Sequence, residues 1–301
     1  MGSLVIPQRA LHSARYPADA TVDTALIPAT VRSGMLRSYK RWLLLSACVG
    51  AIAAGGAVRA SGGVGAAATL LPDLDPVAPG SIQPIAATDG SGRTFLTFTF
   101  VVDNTGKGPL HIRAHRASVK QLAMIADQVI DTSGGGSVVV KNVGRVGWLP
   151  DRGFLHWGFK QHSYRLIPAR GGKTRVAAPL PLCIEDNRRT PRSQLAGEPK
   201  DKVFEGRCGK RQDQLLKLDL GISVGWRNLH LAGKEGQLID ITKAPSGEYT
   251  LVTVANAANR LRESSVSNNS ASARISITWK QGRRLPVVTV IKSCDDGATC
   301  G

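Results

Sequence analysis

The chain has 301 residues, a length that suits one large domain or two small ones. It carries 39 lysines and arginines against 22 aspartates and glutamates, a formal net charge of +17, which favours anionic partners. The sequence has no zinc-finger spacing, RNA-binding aromatic motif or basic helix, so we do not expect nucleic acid among those partners. A basic surface that only serves solubility is the alternative.

A secretory signal is predicted at residues 35–60. Arg37, Lys40 and Arg41 form a basic n-region, and the uncharged run Trp42–Val58 follows it. The run is short and rich in Gly and Ala for a membrane helix, which usually needs about 20 apolar residues. We therefore expect a secreted or cell-surface protein with no stable membrane span after signal cleavage. The alternative is a cytoplasmic tail before an uncleaved anchor.

Five segments are predicted along the chain. They are a non-native or disordered extension at 1–34, the signal at 35–60, a Gly/Ala linker at 61–70, a domain at 71–293 and a tail at 294–301. Met35 stands where a signal peptide would begin, which suggests that it is the true start. A mature N-terminus upstream of Met35 would contradict this interpretation.

Short β-branched runs, separated by Gly, Pro, Asn and Asp, predict an all-β domain. The clearest run is Arg93–Val102, in which Thr alternates with apolar residues. The other predicted strands are Ser137–Val143, Ser163–Ile167, Tyr249–Ala255, Ala273–Trp279 and Val287–Ile291. Helical spacing occurs only around Ser118–Asp131, and Gly134–Gly136 is expected to be a hairpin tip. The pattern indicates a β-sandwich with long loops and little helix.

Four of the five cysteines follow the signal, which contains Cys48. In an oxidising compartment they predict two disulfides. Cys183 and Cys208 flank a polar, basic loop, and Cys294 and Cys300 close a short loop at the C-terminus. Neither pair has the CxxC spacing that is typical of a metal site.

The segment Gly153–Leu166, with the sequence GFLHWGFKQHSYRL, carries the strongest functional signal. It resembles the copper-binding strand of the lysyl oxidase family, where alternate histidines precede an aromatic-rich strand that ends in Tyr-x-Leu. Alternate residues of a strand share one face, so that spacing can hold a metal. Here the three ligand positions read Phe154, His156 and Gly158, and one imidazole cannot replace three.

Further blocks extend the resemblance over roughly Leu71 to Trp279, and their order and spacing together are more specific than any one block. They are Phe100–Leu110 (FVVDNTGKGPL), Met124–Ile130 (MIADQVI), Cys183–Asp186 (CIED), Gly221–Trp226 (GISVGW), Gln237–Thr242 (QLIDIT), Gly247–Leu251 (GEYTL), Leu261–Glu263 (LRE) and Asn268–Asn269. The last blocks also resemble secreted Ig-like adhesion modules. The family implies a β-sandwich fold.

Active family members bind one copper, carry a quinone made from a lysine and a tyrosine of the chain, and oxidatively deaminate primary amines such as peptidyl lysine. By the resemblance, the quinone lysine falls on Pro179 and the quinone tyrosine on His230. Since copper drives quinone formation in the family, losing both sets of residues implies inactivation. A rescued copper site would need His156, His162 and His230 to converge, because copper favours several imidazoles.

The sequence therefore predicts a secreted lysyl oxidase-like protein that is non-catalytic, has no cofactor and binds an anionic polymer or an extracellular protein. The alternative is a copper-dependent amine oxidase with an altered metal site, and a third interpretation is a structural adhesion module. Binding to an acidic polymer should be sensitive to salt and should depend on Arg188, Arg189 and Arg192.

Overall fold

The computed structural model describes residues 67–150, 155–177, 181–192, 194–233 and 237–300. The predicted extension, the predicted signal, Phe154 and Pro179 lie outside the described residues. The described part belongs to one compact unit, which begins at Gly63. In that part of the chain no helix is long and apolar enough to cross a membrane.

Sixteen strands and one short 3-10 turn make up the described fold. The strands are β1 (Thr69–Leu70), β2 (Leu74–Ala86), β3 (Thr94–Asn104), β4 (Leu110–His115), β5 (Ala123–Thr132), β6 (Ser137–Leu149), β7 (His156–Phe159), β8 (Ser163–Pro168), β9 (Arg175–Val176), β10 (Arg188–Arg189), β11 (Lys217–Ile222), β12 (Trp226–His230), β13 (Leu238–Asp240), β14 (Gly247–Val254), β15 (Ser270–Thr278) and β16 (Val287–Cys294). The 3-10 turn is Arg207–Gly209. The all-β prediction is confirmed.

Three antiparallel sheets contain these strands. The first has the order β11-β4-β5-β6-β7, with β1 also paired to β5, and the second has the order β10-β12-β3-β13, with β2 paired to β3. The third has the order β16-β15-β14-β8-β9. One cluster of buried side chains draws on all three sheets and includes Phe98, Trp157 and Ile275. The segment from β7 to β8 passes from the first sheet to the third.

The helical spacing around Ser118–Asp131 is misleading, because β5 is a strand. Its residues from Asp127 to Ile130 are all buried, so both faces of this central strand are covered there. A strand buried on both faces loses the polar alternation that marks a half-buried strand. Its apolar residues can then match a helical period by accident.

Both predicted disulfides are present, Cys183–Cys208 and Cys294–Cys300. The first connects the segment before the long basic loop to the 3-10 turn that follows it. The second closes the end of the chain after β16, where the backbone N–H of Gly297 donates to Ser270. The described sheet begins at Thr69, inside the predicted linker, since β1 pairs with β5.

Candidate functional site

Strand β7 carries His156 and Gly158 on one face and Trp157 on the other, as the period of a strand requires. Trp157 is fully buried, with its ring 5.4 Å from that of Trp148 and 4.7 Å from the guanidinium of Arg116. Its indole N–H donates to the carbonyl of Gln212 at 3.0 Å. His156 is 9% exposed and lies at the start of the strand. The tryptophan thus fixes the strand on which the resemblance places the copper ligands.

Pro181 occupies the space beside Gly158. A Cβ added to Gly158 would lie 2.7 Å from the carbonyl carbon of Pro181 and 2.8 Å from its Cβ. Gly147 pairs with Gly158 across β6 and β7. A Cβ added to Gly147 would lie 3.8 Å from Cγ of the same proline, which is an ordinary contact. A histidine at 158 would therefore clash with the backbone of Pro181. The residues present do not fit the copper site of the family.

The resemblance assigns His230 to the position of the quinone tyrosine, and an imidazole cannot form the quinone. It lies at the end of β12, is 2% exposed, and its Nε2 is 2.6 Å from Oδ1 of Asn228. Its ring lies parallel to that of Phe100, with 6.3 Å between the centroids. Asn228 and the aromatic residue on the paired strand β3 therefore help to hold the side chain in the core.

The structure brings His162 close to His230. Their ring centroids are 6.4 Å apart, and the ring of Phe100 lies 5.0 Å from that of His162. Both ring nitrogens of His162 are buried without a hydrogen-bond partner among the described residues. Burial, and then the neighbouring His230, lower the pKa of His162 to about 3. His162 is therefore neutral at physiological pH.

His156 does not join these two histidines to form a three-ligand group. Within the described ranges, three potential ligand atoms lie within 4.8 Å of one another only at Cys183, Glu185 and Cys208. The two cysteines of that group form a disulfide, so neither offers the thiolate that binds a metal. The convergence of His156, His162 and His230 on one copper therefore has no geometric support.

Gly221-Ile-Ser-Val-Gly225 has the Gly-x-Ser-x-Gly spacing of a nucleophile elbow. Here Ser223 follows a strand and precedes another strand, whereas an elbow joins a strand to a helix. Its hydroxyl donates to Asp186 at 2.7 Å, and its backbone N–H donates to the other oxygen of that carboxylate at 2.8 Å. Ser223 is 2% exposed and therefore serves the fold.

Several residues of the quoted sequence blocks stabilise loops. Asp186 also accepts from the backbone N–H groups of Val203 and Phe204. The amide of Gln128 both accepts from and donates to the backbone of Arg262. The carboxylate of Glu263 accepts from Leu74, Asn256 and Asn269, and burial raises its pKa. The resemblance therefore rests in part on residues that determine the fold.

Two of the three arginines expected to bind a polymer are occupied within the protein. Arg189 pairs with Glu198, and its guanidinium lies 5.0 Å from the ring centre of Trp226. Arg192 pairs with the carboxylate of Asp75. Arg188 is exposed. The charges of Arg189 and Arg192 are therefore largely compensated, and the predicted arginine patch is weaker than the sequence suggests.

Sequence reasoning missed a cavity of about 410 Å³ beside His162. It lies between β6, the turn from β7 to β8, and the loop Asn256–Leu261. Its lining includes Arg145, Lys160 and Arg260 as well as the buried side chains of Gln161 and His162. No signal in the sequence joins these segments, which lie more than 100 residues apart at their extremes.

The model of the lysyl oxidase family matches residues 201–287 of the chain. No curated protein matches the chain. The matched span contains the Gly221–Trp226 and Gln237–Thr242 blocks and His230, whereas β7 and Pro181 lie before it. Over that span the chain is similar to the lysyl oxidase family, and its all-β fold is consistent with that similarity.

Proposed function

We propose that this protein is an exported, non-catalytic member of the lysyl oxidase family that binds an anionic polymer outside the cell. The position of Pro181 against Gly158 is the main support, because a third copper ligand cannot be accommodated there without moving the backbone of residue 181. His230 in the position of the quinone tyrosine supports the same conclusion independently, since an imidazole cannot form the quinone.

The cavity beside His162 also disfavours a primary amine as substrate. Arg145, Lys160 and Arg260 contribute to its lining, and none of the described lining residues is acidic. A protonated amine would therefore meet like charges without a carboxylate to compensate them. The same surroundings favour an anion, as does the net charge of +17.

The loss of amine oxidase activity is tested by hydrogen peroxide release. The mature protein, supplied with copper, is incubated with an alkylamine and with a lysyl peptide under oxygen. We expect no peroxide above the level of a copper-only blank. Amine-dependent release that requires copper would support the alternative, an amine oxidase with an altered site, for which the contact between His162 and His230 is the favouring observation.

Binding to anionic polymers is tested by co-sedimentation with a polyuronate and with a polyol phosphate polymer, with neutral dextran as the control. We expect binding to both acidic polymers, none to dextran, and a loss as salt rises from 50 to 500 mM because counterions screen exposed charges. Binding that is independent of salt, or equal for dextran, would contradict the proposal.

A further inference from the structure

The cavity beside His162 contains buried polar atoms that lack partners. Gln161 is 6% exposed, and its Oε1 has no hydrogen-bond partner among the described residues. His162 is also 6% exposed, and neither of its ring nitrogens has a hydrogen-bond partner among the described residues. Buried polar atoms in proteins are nearly always satisfied, so these unsatisfied atoms, on two residues that line the cavity, indicate a partner that the chain itself does not supply. That partner must offer hydrogen-bond donors, because Oε1 of Gln161 can only accept.

Three cationic side chains contribute to the lining of the same cavity. Arg145, Lys160 and Arg260 are exposed, and none of them forms an ion pair with an acidic residue in the described chain. This distinguishes them from Arg189 and Arg192, whose charges are compensated by Glu198 and Asp75. The cavity thus combines uncompensated positive charge with buried acceptors.

The wall that carries Arg260 is held in place by its own hydrogen bonds. The Oδ1 atom of Asn256 accepts from the backbone N–H groups of Arg260 and Leu261, while its Nδ2 donates to the carbonyl of Leu261. The backbone N–H of Ala257 donates to the carbonyl of Gln161 at 2.8 Å. The loop and the β7–β8 turn are therefore connected, so the backbone of Arg260 is held near Gln161 without a ligand.

We propose that this cavity binds one anionic, hydroxyl-bearing unit of the polymer, with the anion at Arg145, Lys160 and Arg260 and a hydroxyl donating to Gln161, whose buried amide turns toward the cavity on binding. A volume of about 410 Å³ lies in the range of small-molecule sites and suits a single sugar acid or polyol phosphate. The neutral ring of His162 gives a second hydroxyl a partner. The inference rests on the proposed function, because it identifies which part of the anionic polymer is recognised.

Calorimetry with the full mature protein tests the proposal, with glucuronic acid and glycerol 3-phosphate as probes and glucose as the neutral control. The two acids distinguish a sugar carboxylate from a polyol phosphate as the anion. We expect at least one acid to bind in a 1:1 ratio and glucose to bind at least tenfold more weakly, because charge-assisted hydrogen bonds to the anion are lost. Equal affinity for glucose and for both acids would overturn the proposal.

Two variants and a control locate the binding. Gln161→Glu keeps the shape of the side chain but places a carboxyl group in the cavity, and Arg260→Gln removes one exposed charge. Each should weaken binding of the acid by about tenfold, whereas Arg284→Gln, which changes an exposed arginine outside the lining, should alter it by less than about twofold. Equal weakening by all three would refute the assignment to this cavity. If Gln161→Glu does not fold, the affinities of Arg260→Gln and Lys160→Gln for the acid are compared with that of Arg284→Gln instead.

The polymer assay separates this inference from the function on which it rests. If the wild-type protein sediments with the acidic polymers but binds neither small acid, the cavity is not the recognition site and polymer binding stands. If neither polymer nor small acid binds, both proposals fail. If the polymer and a small acid both bind, and only the cavity variants weaken that binding, both proposals are supported.

Discussion

Pro181 lies so close to Gly158 that a Cβ on the glycine would come within 2.7 Å of the proline carbonyl carbon. Pro181 therefore closes the position that the resemblance assigns to the third copper ligand. A protein that had lost only its histidine would leave space at that position. The close packing indicates that the strand now serves the core.

Gly158→Ala should lower the free energy of unfolding by about 1–3 kcal/mol, because the added methyl group overpacks the contact with Pro181. Gly147→Ala is the matched control, since its Cβ would make only an ordinary contact with the same proline. Urea unfolding monitored by tryptophan fluorescence measures both. Equal effects of the two substitutions would show that Pro181 does not close the position.

His162 should make the protein less stable in acid. Its pKa in the folded protein is about 3, below the 6.5 of an exposed histidine, so between these values the unfolded chain binds the additional proton. Stability is therefore lost as the pH falls from about 6.5 toward 3, at up to about 1.4 kcal/mol per pH unit.

The contribution of His162 is isolated by comparing slopes. His162→Gln should flatten the dependence of unfolding free energy on pH in that window, whereas His115→Gln changes a histidine whose side chain is 42% exposed and should leave the slope near that of the wild type. Chemical unfolding at half-unit pH intervals gives the slopes. A slope that is unchanged in His162→Gln would mean that the buried imidazole does not stay neutral.

Asp186 should be among the most sensitive positions of the fold. It is 1% exposed and accepts four hydrogen bonds, from the backbones of Val203, Phe204 and Ser223 and from the Ser223 hydroxyl. Asp186→Ala leaves these donors unsatisfied and should cost more than about 3 kcal/mol. Asp219→Ala, at an exposed carboxylate, is the control. A loss below about 1 kcal/mol would contradict the role given to Asp186.

Arg192→Gln should reduce stability more than it reduces polymer binding. Its partner Asp75 has a side chain that is only 5% exposed, so removal of the arginine leaves a buried carboxylate without its counter-charge. Arg188→Gln changes an exposed arginine and should have little effect on unfolding. Thermal unfolding and polymer co-sedimentation of both variants test this. A stable Arg192→Gln protein that no longer binds polymer would support the prediction that Arg192 belongs to a polymer-binding patch.

Features with a local signal were predicted well from the sequence. The alternation of Thr with apolar residues indicated β3, and the observed strand Thr94–Asn104 overlaps the prediction closely. The hairpin tip at Gly134–Gly136 lies between β5 and β6 as expected. β5 itself was mistaken for a helix, because burial on both faces removes the alternation by which strands are recognised.

Features that depend on the tertiary fold were not predicted. The contact of Pro181 with Gly158, the pair His162 and His230, and the cavity beside Gln161 all join segments that are distant in the sequence. The resemblance pointed to Gly158 as a ligand position, but only the packing shows that Pro181 closes it. The arginine-rich loop looked like a free basic surface because its acidic partners, Asp75 and Glu198, are not apparent from its composition.

Copper content is the most direct test of the central claim, that the fold is kept and the metal site lost. The mature protein is incubated with excess Cu(II), passed through a chelating column and measured by plasma mass spectrometry. We predict that the washed protein retains far less than one copper per chain, because one imidazole on β7 and a closed Gly158 cannot hold the ion. One tightly held copper per chain, lost in His156→Ala, would contradict the account.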